Sequence, residues 1–221
     1  MQSAEHPVKH AVISAAGLGS RLELNMPKCL VDIGSRKIID YQLELLDDIE
    51  DVRIVIGFME DAVIDHVLRI RDDALFVRNP DYQSTTNSYS LHLATKDLTA
   101  PFLTIDGDLL IEPESFKDFL ARCDGSQSIV GVTEAKSEEA VFAHLDSDEH
   151  VVRAFSLDET SPYEWSGIAY LKNVAIEKNA GFVFREIDRY LPLPIQKIAC
   201  HEVDTPEDLN NAINALGSYG Y

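Results

Sequence analysis

Positive charge is scarce in this chain: 19 Lys and Arg stand against 38 Asp and Glu in 221 residues, a formal net charge of −19. So acidic a chain would oppose counterion release, which argues against a nucleic-acid or anionic-membrane surface. Cysteine is scarce too. Cys29, Cys123 and Cys200 lie far apart without metal-like spacing, and Cys29 and Cys200 sit in apolar runs that read as buried free thiols. No apolar run approaches the roughly 20 residues that span a bilayer. None at the amino end suits a signal peptide, so a cytoplasmic protein is expected. The seven histidines are scattered, and none has a nucleophile partner in view. Repeats, low-complexity tracts and linkers are missing as well, and the length suits one domain over residues 1–221 with a core that needs no staples.

Strand-like and helix-like segments alternate through the first half. Residues 10–15 form a near-continuous apolar run, the pattern of a strand covered on both faces. Ile38, Ile39, Leu43, Leu45, Leu46 and Ile49 recur mostly at helical spacing over 38–49. Further strands are expected at 52–58, 74–77 and 102–105, and helices at 62–70, 87–98 and 113–123. This rhythm predicts an α/β fold with a Rossmann-like, doubly wound, mainly parallel sheet and right-handed crossovers. Ligands on such sheets bind outside the carboxyl ends of the strands, where a glycine turn follows Ser14. Strands at 128–133, 140–145, 151–157 and 164–171 then come in quick succession, the middle pair joined by a turn at 146–149. They predict a smaller antiparallel or mixed extension. Residues 175–190 read as a helix despite Gly181, 195–203 as a last strand and 206–216 as a last helix.

The glycine turn is the most informative segment. Residues 12–30 read VISAAGLGSRLELNMPKCL, an apolar strand entering a turn of small residues. Gly17 and Gly19 remove side chains where backbone amides must approach a phosphate, and Arg21 and Lys28 add two cations. A Walker A loop would require Gly-Lys-Ser/Thr, and a dinucleotide fingerprint a glycine where Leu22 stands. Neither is present.

Two acidic segments complete the set. The strand at 102–105 ends in Asp106-Gly107-Asp108, which delivers carboxylates to the sheet edge, although Asp and Gly also suit a plain turn. In the segment 201–208, HEVDTPED, Thr205 as N-cap, Pro206 as first helical residue and Asp208 as capping-box partner account for the helix start. Asp204 is then free to face the cleft; the competing reading makes Asp204 the cap. Mg²⁺ takes one or two carboxylates together with phosphate oxygens and water. Asp108 and Asp204 meet that need if their strand ends are adjacent.

In this order, the glycine loop with Pro27-Lys28, Gly107-Asp108, Glu164-Trp165-Ser166-Gly167 and the 203–208 segment resemble the GT-A-like nucleotidyltransferase superfamily. Asn79-Pro80-Asp81-Tyr82 followed by Thr86-Asn87-Ser88-Tyr89-Ser90-Leu91 is similar to bacterial choline-phosphate and phosphonate cytidylyltransferases. The resemblance implies an Mg²⁺-dependent enzyme joining CTP to a small phosphomonoester or phosphonate with release of pyrophosphate. Its catalytic cations would be Lys28 and Arg21, and its metal ligands Asp108 and Asp204. The nucleotide would lie against Ala15, Ala16, Gly17, Leu18, Gly19, Ser20, Arg21, Lys28, Thr86, Asn87, Ser88 and Asp106. Sugar-1-phosphate members place a cation just before the strand matching 164–171, but residues 158–163 contain none. Tyr163, Glu164 and Trp165 are instead expected beside a cationic acceptor. A sugar-1-phosphate or molybdopterin-type guanylyl transferase is the alternative, and a silent nucleotide-binding regulatory subunit the non-enzymatic one. Retention of Arg21, Lys28, Asp108 and Asp204 favours the enzyme.

Overall fold

A computed structural model describes residues 8–137, 140–178 and 181–221. From the amino end, β1 (His10–Ser14) leads through a short hairpin, β2 (Asp32–Ile33) and β3 (Arg36–Lys37), into α1 (Ile38–Leu45). Next come β4 (Asp51–Ile56), α2 (Glu60–Val67), β5 (Leu75–Arg78), α3 (Asn87–Thr95), β6 (Phe102–Asp106), β7 (Leu109–Ile111) and α4 (Pro113–Arg122). The remainder holds β8 (Ile129–Glu134), β9 (Phe142–Leu145), β10 (Val151–Ser156), β11 (Tyr163–Leu171), α5 (Val183–Asp188), β12 (Leu193–Lys197), β13 (Cys200–Glu202) and α6 (Pro206–Tyr219).

Among the described residues the main sheet has the order β5-β4-β1-β6-β11-β8-β12-β10-β9. Its first four strands are parallel, as the alternating pattern predicts. From β11 onward the neighbours are antiparallel, except β12 on β8. The expected extension therefore continues the α/β sheet and makes it mixed. It also curls, because β9 pairs with β11 at Phe142 and Glu164.

Strand β1 shows why the apolar run is continuous. Ala11 and Ile13 enter one core with Ile54, Ile105, Phe116 and Phe119, while Val12 enters the opposite core with Val55, Leu91 and Phe184. Period-two alternation thus feeds two helical layers. A third cluster, with Val31, Ile33, Ile38, Leu110, Val203 and Ala212, packs α6 beside the β2–β3 hairpin.

Two expectations are corrected. Over 175–190 only Val183–Asp188 is helical, and residues 179 and 180 lie outside the described set. Val174 and Ile176 are buried in the core, and the amides of Ala175 and Glu177 donate to the side chains of Tyr190 and Glu186. Those bonds replace a helical ladder. The single strand expected over 195–203 is two, since β12 runs parallel to β8 and β13 antiparallel to β7. At the switch, Ile198 N donates to Val132 O and Ala199 O accepts from Glu112 N. An unbroken apolar pattern cannot reveal a change of partner.

The carboxyl edge is locked at one glycine. Gly107 N donates to Ser14 O at 3.0 Å, and a Cβ at Gly107 would lie 2.7 Å from that oxygen and 3.1 Å from Ala15 Cα. Both neighbours are backbone and cannot swing aside. Gly107→Ala should destabilise the fold by about 1–3 kcal/mol, and a melting temperature equal to wild type would disprove the clash.

Candidate active site

The edge formed by β1 and β6 opens onto a cleft of about 1210 Å³. Ala15, Ala16, Gly17, Leu18, Gly19, Arg21 and Lys28 line it, as the sequence suggests. Ser20 begins a one-turn 3₁₀ helix, Ser20–Leu22. The amides of Gly17, Leu18 and Gly19 have no hydrogen-bond partner among the described residues. Nothing would touch a Cβ at Gly17, so packing within the protein does not demand a glycine there. Gly19 is different: its φ is +60°, and a Cβ would stand 2.9 Å from Lys28 Cγ. Lys28 starts a second short turn, whose Cys29 and Leu30 are buried and anchor the loop.

Three carboxylates converge opposite this loop. Asp108 follows the locked glycine, while Glu202 and Asp204 arrive on β13 and its extension. Val203 N donates to Asp108 O at 2.9 Å, which brings the two segments edge to edge. One oxygen from each of Asp108, Glu202 and Asp204 lies within 4.8 Å of the others. Lys28 Nζ donates to Asp108 Oδ2 at 2.8 Å and also pairs with Asp204, which Arg21 contacts as well. The side chains of Lys28, Asp108 and Asp204 are 18%, 17% and 12% exposed, against 61% for Arg21. Electrostatic effects at Lys28 should therefore exceed those at Arg21, whose charge is screened by water.

Asp204 is not the helix cap. Thr205 Oγ1 accepts from Asp208 N, and Asp208 Oδ2 accepts from Thr205 N at 2.9 Å, a complete capping box. The concentration of negative charge shows in neighbouring acids. Burial raises the Asp106 pKa well above the ordinary value, and the charges of Asp108 and Glu202 raise it further. Glu202 opens onto the cleft, yet surrounding protein and Asp108 push its pKa up to about 7. A set of oxygen donors that repel one another suits a hard divalent cation. The sequence motifs do not single out Glu202. Its position two residues before Asp204 in an extended segment was the available signal.

The opposite wall differs from expectation in detail. Thr86 occupies the N-cap position of α3, but its hydroxyl donates to Gly181 O at 2.5 Å rather than capping the helix. Asn87 Oδ1 accepts from Val183 N at 3.2 Å, and its Nδ2 stands 3.5 Å from Asp106 Oδ1. Ser88 is fully buried and does not line the cleft; Ser90, two residues further along the helix, lines it instead. Asn79 orders this loop by donating to Thr85 and Ser90, both at 3.0 Å.

Of the three residues expected at the acceptor, Glu164 and Trp165 line the cleft and Tyr163 does not. The Tyr163 hydroxyl meets Glu149 Oε2 at 2.9 Å, and Lys197 Nζ sits 4.4 Å from its ring centre. That ring already carries a cation belonging to the protein. Trp165 packs edge-on against Phe155, with ring centres 6.0 Å apart. Lys136, Leu157, Phe182 and Phe184 also line this end. No motif marks them, because the folding of separate segments brings them together. No helix among the described residues is long and apolar enough to cross a membrane.

A family model for the MobA-like NTP transferase domain matches residues 11–163, which covers the glycine loop, Asp108 and the start of β11. The chain is 29% identical over 178 residues to choline-phosphate cytidylyltransferase of Streptococcus pneumoniae, covering 78% of this chain and 74% of the relative. It is 32% identical over 137 residues to CTP:phosphoglutamine cytidylyltransferase of Campylobacter jejuni, covering 60% of this chain and about half, 51%, of that relative. The inositol-1-phosphate CTP transferase of T. maritima superposes with a TM-score of 0.80 over 97% of both chains at 17% identity, a likeness of fold. The glycine loop, the converging carboxylates and these matches agree: the chain belongs to the MobA-like NTP transferase domain family and is a nucleotidyltransferase.

Proposed function

We propose that the protein is an Mg²⁺-dependent cytidylyltransferase that joins CTP to a small phosphomonoester or phosphonate and releases pyrophosphate. The convergence of unpartnered glycine-loop amides, Lys28 and three carboxylates at one end of the cleft carries this reading. An acceptor oxygen attacks the α-phosphorus, a new P–O bond forms, and the bond to the departing pyrophosphate breaks. Lys28 and the amides of Gly17 and Gly19 hold the phosphates in line and take up charge as the leaving group departs. Asp108, Asp204 and Glu202 would hold Mg²⁺, which when bound neutralises phosphate charge. Asn87, Thr86 and Ser90 flank the nucleoside end, with Asp106 lining the cleft beside Asn87. Both relatives are named cytidylyltransferases, and the Campylobacter jejuni one names CTP, which supports CTP as donor.

Acceptor choice rests on Glu164 and Trp165. Burial raises the Glu164 pKa, but a neighbouring ammonium would favour its charged form. Against the Trp165 face, a cationic head gains roughly 0.5–2 kcal/mol. Trp165→Ala should raise the KM for a cationic acceptor by several-fold and leave the KM for CTP unchanged. Equal KM values for that acceptor in both proteins would remove Trp165 from acceptor binding. The overall reading is tested by following pyrophosphate release with each of the four NTPs against a panel of phosphorylated and phosphonate acceptors. CTP with a small, cationic acceptor should lead. Glucose 1-phosphate with UTP or dTTP as the best pair would overturn both substrate assignments.

A further inference from the structure

The cleft contains three Lys or Arg side chains, Arg21, Lys28 and Lys136, and they differ in what they touch. Arg21 and Lys28 are engaged by the carboxylates of Asp204 and Asp108. Lys136 is not: among the described residues its ammonium meets no carboxylate and donates to the backbone carbonyl of Cys200. An ammonium has three donors, so this leaves donors for a ligand.

Its placement is fixed by backbone. Beyond β8, Ala135 N donates to Pro162 O at 2.9 Å and Lys136 N to Glu164 Oε2 at 3.3 Å. The side chain then crosses toward β13, two residues before Glu202. Its charge lies near enough to Glu164 to favour that carboxylate's ionised form. A phosphate entering this end meets the Glu164 carboxylate, which repels it unless a cation stands nearby. Residues 158–163 supply none. The segment that follows β8 brings one in as Lys136.

We propose that Lys136 binds the phosphate or phosphonate group of the acceptor, turning its remaining donors to the anionic oxygens. This rests on the two-substrate reading above. A charge-assisted bond of this kind typically changes affinity by about ten- to a hundredfold.

Trp165 is the chain's one tryptophan and lines the same end of the cleft, so its fluorescence reports occupancy. Titration of the full chain with methylphosphonate should quench or shift that signal. Lys136→Met should weaken the response about tenfold or more, and Lys136→Arg should largely restore it. In steady state, Lys136→Met should raise the acceptor KM by a similar factor with the KM for CTP unchanged. An unchanged acceptor KM together with an unchanged methylphosphonate response would overturn the proposal. So would equal losses toward both substrates with a lowered melting temperature, because these mark a merely structural bond to β13. If Lys136→Met does not fold, Lys136→Gln and Lys136→Arg carry the same comparison. Methylphosphonate binding that depends on Lys136 in a protein that transfers no nucleotide would sink the proposed function and leave this assignment standing. Transfer that is indifferent to Lys136 would do the reverse.

Discussion

Lys28→Ala is expected to lower turnover by about 10²–10³-fold, the loss seen when one preorganised charge is removed from a reacting phosphate. The side chain has no partner in the apolar core; it meets Asp108 and Asp204 at the cleft floor. Its ammonium therefore competes with any divalent cation for the same oxygens. Removing it should tighten Mg²⁺ binding while catalysis fails, and the two measurements should move in opposite directions. Without metal, the variant leaves the carboxylates facing one another with Arg21 alone beside them, so its melting temperature should fall. Saturating Mg²⁺ should restore much of that loss, since a ligand that binds only the folded state stabilises it. Near-wild-type turnover in the folded variant would take Lys28 out of the mechanism.

Much of this arrangement was legible before any coordinates. Strand β1 could be read because both faces of a buried parallel strand demand apolar residues, and Ala11, Val12 and Ile13 show it. The capping box at Thr205 could be read because its bonds are local, three residues apart, and its presence frees Asp204 for the cleft. Pairing of β13 with β7 could not be read, since register between distant segments leaves no local mark, and the approach of Glu202 to Asp108 was hidden with it. Ser88 and Tyr163 fall outside the cleft lining for a related reason. Each lies beside residues that line the cleft, but its direction depends on helical phase or on which partner side chain claims it. Ser88 turns into the core, and Tyr163 is held by Glu149 and Lys197. Lys136 lies outside every motif and enters the cleft only because β8 pairs with β11.

The carboxylate floor sets the last expectation. Asp108→Ala and Asp204→Ala should each reduce Mg²⁺-dependent turnover by roughly a hundredfold or more, and the double variant should be little worse than either. Groups that act as a unit lose their function once, so their effects do not multiply. One oxygen of each residue lies within 4.8 Å of the other and of Glu202, close enough to serve one ion. Lys28 bonds both, so either substitution also releases the ammonium from half of its anchorage. Comparison with its neighbour tests for a separate structural role of Asp204. Thr205→Ala should cost about 1 kcal/mol of stability, the usual value of an N-cap, with turnover nearly unchanged. Asp204→Ala should show the opposite pattern, a large kinetic loss with the cap intact. Multiplying losses in the double variant would place Asp108 and Asp204 on different tasks. A lowered melting temperature without a kinetic change at Asp204 would return that residue to the helix start.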